Sequence, residues 1–168
     1  MKVYLKKIFQ FFLIILLMLI EGHLAALVHF FVNGHITIFP MLFLAAFYYF
    51  CKQFKMTTSC LLAVFLGMLY DYHYFAYLGI MVIILPVITL FALAISHFLE
   101  YRWRYFEEIL ILLIYLFLVQ VTAYFLLRCY HRIFVDWTYF ITFHLLPSLL
   151  VTIFAAVIGK KLLNQLFV

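Results

Sequence analysis

The chain has 168 residues, of which 71% are hydrophobic and 10% charged, with a formal net charge of +5. An ordinary soluble domain carries about 25% charged residues, so the composition excludes one and points to an integral membrane protein with no separate soluble domain. The basic residues are spread over short segments between apolar runs, which reads as an orientation signal rather than a nucleic-acid footprint, and no nucleic-acid partner is expected.

The first apolar run covers about 8–32, broken only by Gln10, Glu21, Gly22, His23 and His29. Lys2, Lys6 and Lys7 precede it as they would in a signal peptide. The run is too long for a signal-peptide core and no small-x-small cleavage site follows, so a retained first span is expected. A turn at Asn33 and Gly34 leads to the second run, about 36–50, with Pro40 in its opening turns. The basic turn from Cys51 to Lys55 separates it from the third, about 56–70. The fourth runs over about 78–99 and contains Pro86. The polar loop Glu100 to Glu108 leads to the fifth, about 109–127. Arg128 to Asp136 form the next loop, and the sixth run, about 137–159, contains Pro147. Pro86 and Pro147 are expected to kink their helices by removing a backbone donor.

Helix is required over strand, because a lone strand cannot satisfy its backbone in lipid and no alternating pattern is present. The expected fold is therefore all-α: a polytopic membrane protein of about six transmembrane helices, with residues 1–168 forming a single integral membrane domain. Runs two and three hold about 15 residues, or roughly 22 Å of helix, against a hydrocarbon core of about 30 Å. They either span with snorkelling lysines or form a hairpin that crosses only in part. With the N-terminus inside, nine of the eleven Lys and Arg residues fall on the inner side and only Arg128 and Arg132 on the outer. Both termini are therefore expected on the cytoplasmic face. Tyr70, Tyr72, Tyr74, Tyr77, Trp137 and Tyr139 then form an outer aromatic belt, and Tyr101, Trp103 and Tyr105 an inner one.

Against this apolar background the polar residues stand out. Glu21 lies about 11 residues, roughly 17 Å, from the outer end of the first run. An ionised carboxylate at that depth costs several kcal/mol, so Glu21 must face the bundle, be protonated or be paired. His23 points to nearly the opposite face of the same helix and is a poor partner. Gln120 and His144 lie at comparable depth in runs five and six and are the better candidates. Two readings stay open: a polar contact fixing helix packing or receiving a partner's transmembrane helix, and a protonated acid beside a water-lined outer cavity.

Asp71 ends the third run. It reads either as a hydrogen-bond acceptor that holds the turn into run four or as a solvated loop residue. Gly67 stands one helical turn earlier, where a neighbouring helix can approach closely. Arg132 and Asp136 make an i, i+4 pair if their segment is helical.

Cys51, Cys60 and Cys129 form no CxxC and read as reduced apolar residues. The seven histidines make no HxxxH or HExxH, so no metal and no cofactor are expected. No nucleophile–base set, phosphate loop or paired carboxylates at catalytic spacing occur, so the chain is not expected to be an enzyme.

From Gly67 to Gly79 the chain reads Gly-Met-Leu-Tyr-Asp-Tyr-His-Tyr-Phe-Ala-Tyr-Leu-Gly. Gly67, Asp71, Leu78 and Gly79 fit a Gly-x3-Asp-x6-Leu-Gly pattern at the join of runs three and four, and Glu21-Gly22-His23 is an acidic-Gly-His segment in run one. In these motifs, and in size and span count along its whole length, the chain resembles the rod shape-determining protein MreD family of bacteria, its Gram-positive branch in particular. It departs from the common pattern at Tyr77, where many members have Pro.

The resemblance implies a non-enzymatic scaffold of the cell-elongation machinery in the bacterial cytoplasmic membrane. It also implies binding to the bitopic protein MreC, and joint action with MreB and the glycosyltransferase–transpeptidase pair that builds peptidoglycan. A fold similar to the substrate-binding subunits of energy-coupling-factor transporters is implied as well. This leaves a second function open: a vitamin-binding subunit with a pocket near Glu21, Gln120 and His144.

Overall fold

A computed structural model describes residues 2–31, 40–75, 79–99, 104–132 and 134–167. Every regular element in the described residues is helical: α1 (Lys2–Phe31), α2 (Leu42–Cys51), α3 (Met56–Tyr70), α4 (Met81–Leu99), α5 (Arg104–Cys129), α6 (Trp137–Phe140) and α7 (Leu146–Phe167). The wider π-helical segment Asp71–Phe75 continues α3, and a second, Ile141–Leu145, joins α6 to α7. The fold comprises two compact units, Met1–Gln53 with Trp137–Val168, and Phe54–Asp136.

In the first unit α2 packs on both α1 and α7. The face α1 turns to this unit's interior carries Gln10, Ile14, Met18 and Glu21, all buried. Their spacing of three and four places them on one stripe. Gln10 and Glu21, its polar ends, stand about 16 Å apart along the axis. That matches α2, whose ten residues measure about 15 Å. Every α2 residue from Phe43 to Cys51 is buried, as expected of a helix that is apolar on all sides.

Among the described residues, four helical stretches are long and apolar enough to cross a bilayer: Leu5–Leu27, Met81–Phe98, Glu108–Cys129 and Trp137–Gly159. The six expected spans thus comprise four of full length and two short helices, α2 and α3. In run two, expected over about 36–50, α2 starts at Leu42, with Pro40 ahead of that helix instead of in its opening turns. Residues 36–39 lie outside the described residues.

The second unit is built on α4, which packs against α3 on one side and α5 on the other. Thr89 and Tyr115 place their hydroxyls 3.4 Å apart in the buried α4–α5 seam. Pro86 sits inside α4, which remains helical from Met81 to Leu99. Pro147 acts differently. It has no N–H for the Phe143 carbonyl, and its ring crowds that carbonyl; the helix widens into Ile141–Leu145 just ahead of it.

Between α5 and α6 the chain turns through His131, whose φ is 53°. Arg132 and Asp136 are not helical there, so the expected i, i+4 geometry is absent. The loop is anchored from α5 instead. The buried Tyr124 hydroxyl donates to the Val135 carbonyl at 2.7 Å and accepts from Arg128 Nη1 at 3.0 Å.

Candidate functional site: two buried acids at helix N-termini

A helix begins with backbone N–H groups that have no intrahelical acceptor, and their dipoles favour negative charge. In this protein two such ends are met by buried acids, one in each compact unit.

In the second unit the acid is Asp71, the C-cap residue of α3. Its side chain is 0% exposed. Oδ1 accepts the Met81 N–H at 2.7 Å. Oδ2 accepts those of Gly79 and Ile80, each at 2.9 Å, and of Val82 at 3.2 Å. These are the last residues of the turn and the first of α4, so one carboxylate serves the whole N-terminal end of that helix. A carboxylate offers about four lone-pair sites, two on each oxygen; here three amides share Oδ2 and one bonds Oδ1. Burying the charge costs several kcal/mol. Four charge-assisted bonds at about 1.5–3 kcal/mol each offset it.

Two glycines make this geometry possible. Gly67 precedes Asp71 by one turn on the face that meets α4. A Cβ there would lie 2.7 Å from the Met81 carbonyl oxygen and 2.9 Å from Val82 Cα, so only glycine lets α4 start this close. Gly79 has φ +124°, a conformation other residues rarely adopt, and it turns the chain so that successive amides converge on Asp71. Leu78 lies outside the described residues. Asp71 is therefore not a solvated loop residue but the acceptor that holds the turn into α4. Of the expected outer tyrosines, Tyr70 is buried against Tyr74, with ring centroids 4.6 Å apart, and Tyr72 is 80% exposed.

In the first unit the acid is Glu21, 1% exposed on the inner stripe of α1. Its Oε2 accepts the Phe43 N–H at 2.7 Å, at the start of α2. Its Oε1 has no hydrogen-bond partner among the described residues. From α7, Thr152 Oγ1 accepts the Met41 N–H at 3.0 Å and donates to the Ser148 carbonyl at 2.6 Å. The N-terminus of α2 is thus held from two sides by side chains of two other helices. The partner expected for Glu21 was a side chain, Gln120 or His144, whereas the group that meets it is a backbone amide. Gln120 lies on α5, in the second unit. His144 lies in the π-helical segment with its ring edge-on to Phe140, 5.5 Å between centroids. His23 is exposed, on the side of α1 away from Glu21, and Gly22 is half-buried between them.

Thr152 and Ser148 escaped the sequence reading, because a hydroxyl in an apolar run normally bonds back to its own helix. The available signal was Pro40, which marks a chain about to enter a helix whose first amides need acceptors. Among the described residues, no three His, Cys, Asp or Glu side chains are grouped to hold a metal ion.

The model of a family described as rod shape-determining protein MreD matches residues 5–166, nearly the whole chain. The chain belongs to the MreD family. No curated protein and no solved structure matches it. Membership gives this MreD protein a role in determining rod shape and, with its apolar helices, a place in a membrane. The matched stretch contains both acid sites. In this MreD chain, Gly67, Asp71 and Gly79 are the three parts of one helix junction.

Proposed function

We propose that this MreD protein is a non-catalytic scaffold of the cell-elongation machinery, seated in the bacterial cytoplasmic membrane with both termini on the cytoplasmic side. It binds MreC and, through that complex, positions MreB and the glycosyltransferase–transpeptidase pair that builds peptidoglycan. The observation that carries the reading is the commitment of Asp71 to the start of α4. The buried acid of the family-like motif is committed to four backbone amides of one helix start, which suits a part that must keep its shape for others to assemble on. The distribution of Lys and Arg supports the orientation.

Depletion in a rod-shaped or ovoid host tests the reading. The expected result is rounded cells with wall growth at misplaced sites, restored by the parent chain. Unchanged shape after complete loss, with no second copy of the gene, would contradict it.

A further inference from the structure

We infer that the N-terminal end of α2 holds one enclosed water molecule, which bridges the second carboxyl oxygen of Glu21 to the Leu44 N–H. The water completes a cap that Glu21 and Thr152 leave unfinished, and it helps to fix where the buried helix α2 begins.

The first four N–H groups of a helix have no acceptor within it. In α2 they belong to Met41, Leu42, Phe43 and Leu44, since the first bond of this helix runs from the Ala45 N–H to the Met41 carbonyl at 3.1 Å. Thr152 Oγ1 takes the Met41 N–H and Glu21 Oε2 that of Phe43. The N–H groups of Leu42 and Leu44 have no acceptor among the described residues. Leu42 is half-buried, whereas Leu44 is buried. Glu21 Oε1, also buried, is likewise unmet among the described residues. Two buried polar groups are therefore left over at one helix end. The carboxyl group and the Phe43–Leu44 peptide tie them to the two ends of a single bond, the 2.7 Å contact between Oε2 and the Phe43 N–H.

A buried polar group without a partner is costly, and buried waters occupy the places where such groups would otherwise be unmet, making roughly two to four bonds each. Water suits this pair by its chemistry. Its oxygen accepts from the Leu44 N–H. It meets Oε1 as a donor to a carboxylate or as an acceptor from a carboxylic acid, so the bridge holds in either protonation state. Thr152 Oγ1 gives one bond to Ser148 and takes one from Met41, which leaves it one lone pair at the same helix end. An anion would suit the amide but face the carboxyl group. A cation would suit Oε1 but face the positive end of the helix dipole. The site is also enclosed: Glu21, Met41, Phe43, Leu44 and Thr152 are all 4% exposed or less. The start of α4 gives the contrast, because Asp71 there bonds backbone amides through both of its oxygens.

The test is proton-detected solid-state NMR of the full chain in lipid bilayers, with magnetisation passed from water to assigned amides. The expected result is clear transfer to the Leu44 amide and none above background to Phe47 and Tyr48, farther along the same buried helix. Glu21→Gln keeps the shape of the side chain, and its slowly exchanging NH2 group cannot relay magnetisation as a carboxylic acid proton can, so transfer to Leu44 should persist. Glu21→Leu puts a group there that bonds no water, and transfer should fall about fivefold, equivalent to about 1 kcal/mol in occupancy. Absence of transfer to Leu44 in the parent chain would overturn the inference. Its loss in Glu21→Gln would show that the signal came from the acid proton, and undiminished transfer in Glu21→Leu that any water there is independent of Glu21; either overturns the bridge. If Glu21→Leu fails to fold, the parent and Glu21→Gln measurements decide the matter between them.

Discussion

Asp71→Asn is the sharpest perturbation of the α3–α4 junction, because it preserves shape and changes one acceptor into a donor. The amide oxygen can take the place of Oδ2 and keep the bonds from Gly79, Ile80 and Val82. The NH2 group then faces the Met81 N–H across the 2.7 Å now spanned by Oδ1. Flipping the amide exchanges one lost bond for three. In the better orientation, a charge-assisted bond worth about 1.5–3 kcal/mol is lost and a buried N–H is left unsatisfied at about 1–3 kcal/mol. The sum is about 3 kcal/mol or more, roughly a hundredfold in the folded-to-unfolded ratio. Such a loss is a large part of a typical 5–15 kcal/mol stability. It is read as a fall in the unfolding midpoint in mild detergent, with intact protein followed by size-exclusion elution. A change under about 1 kcal/mol would refute the reasoning, since it would mean that the amides at the start of α4 find other acceptors at little cost.

Gly67→Ala should destabilise by about 1–3 kcal/mol through overpacking against the Met81 carbonyl, seen in the same midpoint; an unchanged midpoint would show that α4 can withdraw freely. Glu21→Gln should assemble near-normally, because the amide oxygen can still accept from Phe43 N–H, whereas Glu21→Leu should cost about 1–3 kcal/mol for the orphaned amide; equal midpoints for the two variants would exclude the capping role. Tyr124→Phe removes the bonds to Val135 and Arg128 and should cost about 1–2 kcal/mol, with faster tryptic cleavage at Arg128 and Arg132 as the readout.

The two acid sites differ in how far the sequence reveals them. Asp71 was legible as an acceptor at a turn because its helpers carry letters of their own: a glycine one turn before it and another where α4 begins. Glu21 was legible as a buried acid, but its partner was not. Phe43 contributes only a backbone N–H, which any residue but proline has, and no residue type marks it. The start of α2 was equally hidden, since Ile36 to Phe50 is one apolar run and only Pro40 hints at where α2 begins. The four long helices follow from run length and composition, which tertiary contacts hardly alter in an apolar chain. The loop after α5 depended on Tyr124, a buried hydroxyl inside an apolar run that reads simply as core.

Recovery of MreC with the full-length chain, extracted from membranes in mild detergent and compared between the parent and Asp71→Ala at matched amounts of folded protein, tests the scaffold reading most directly. The account predicts MreC with the parent chain and sharply less with the variant, whose α3–α4 junction no longer holds its shape. Absence of MreC from the parent complex, or equal recovery with both chains, would contradict it.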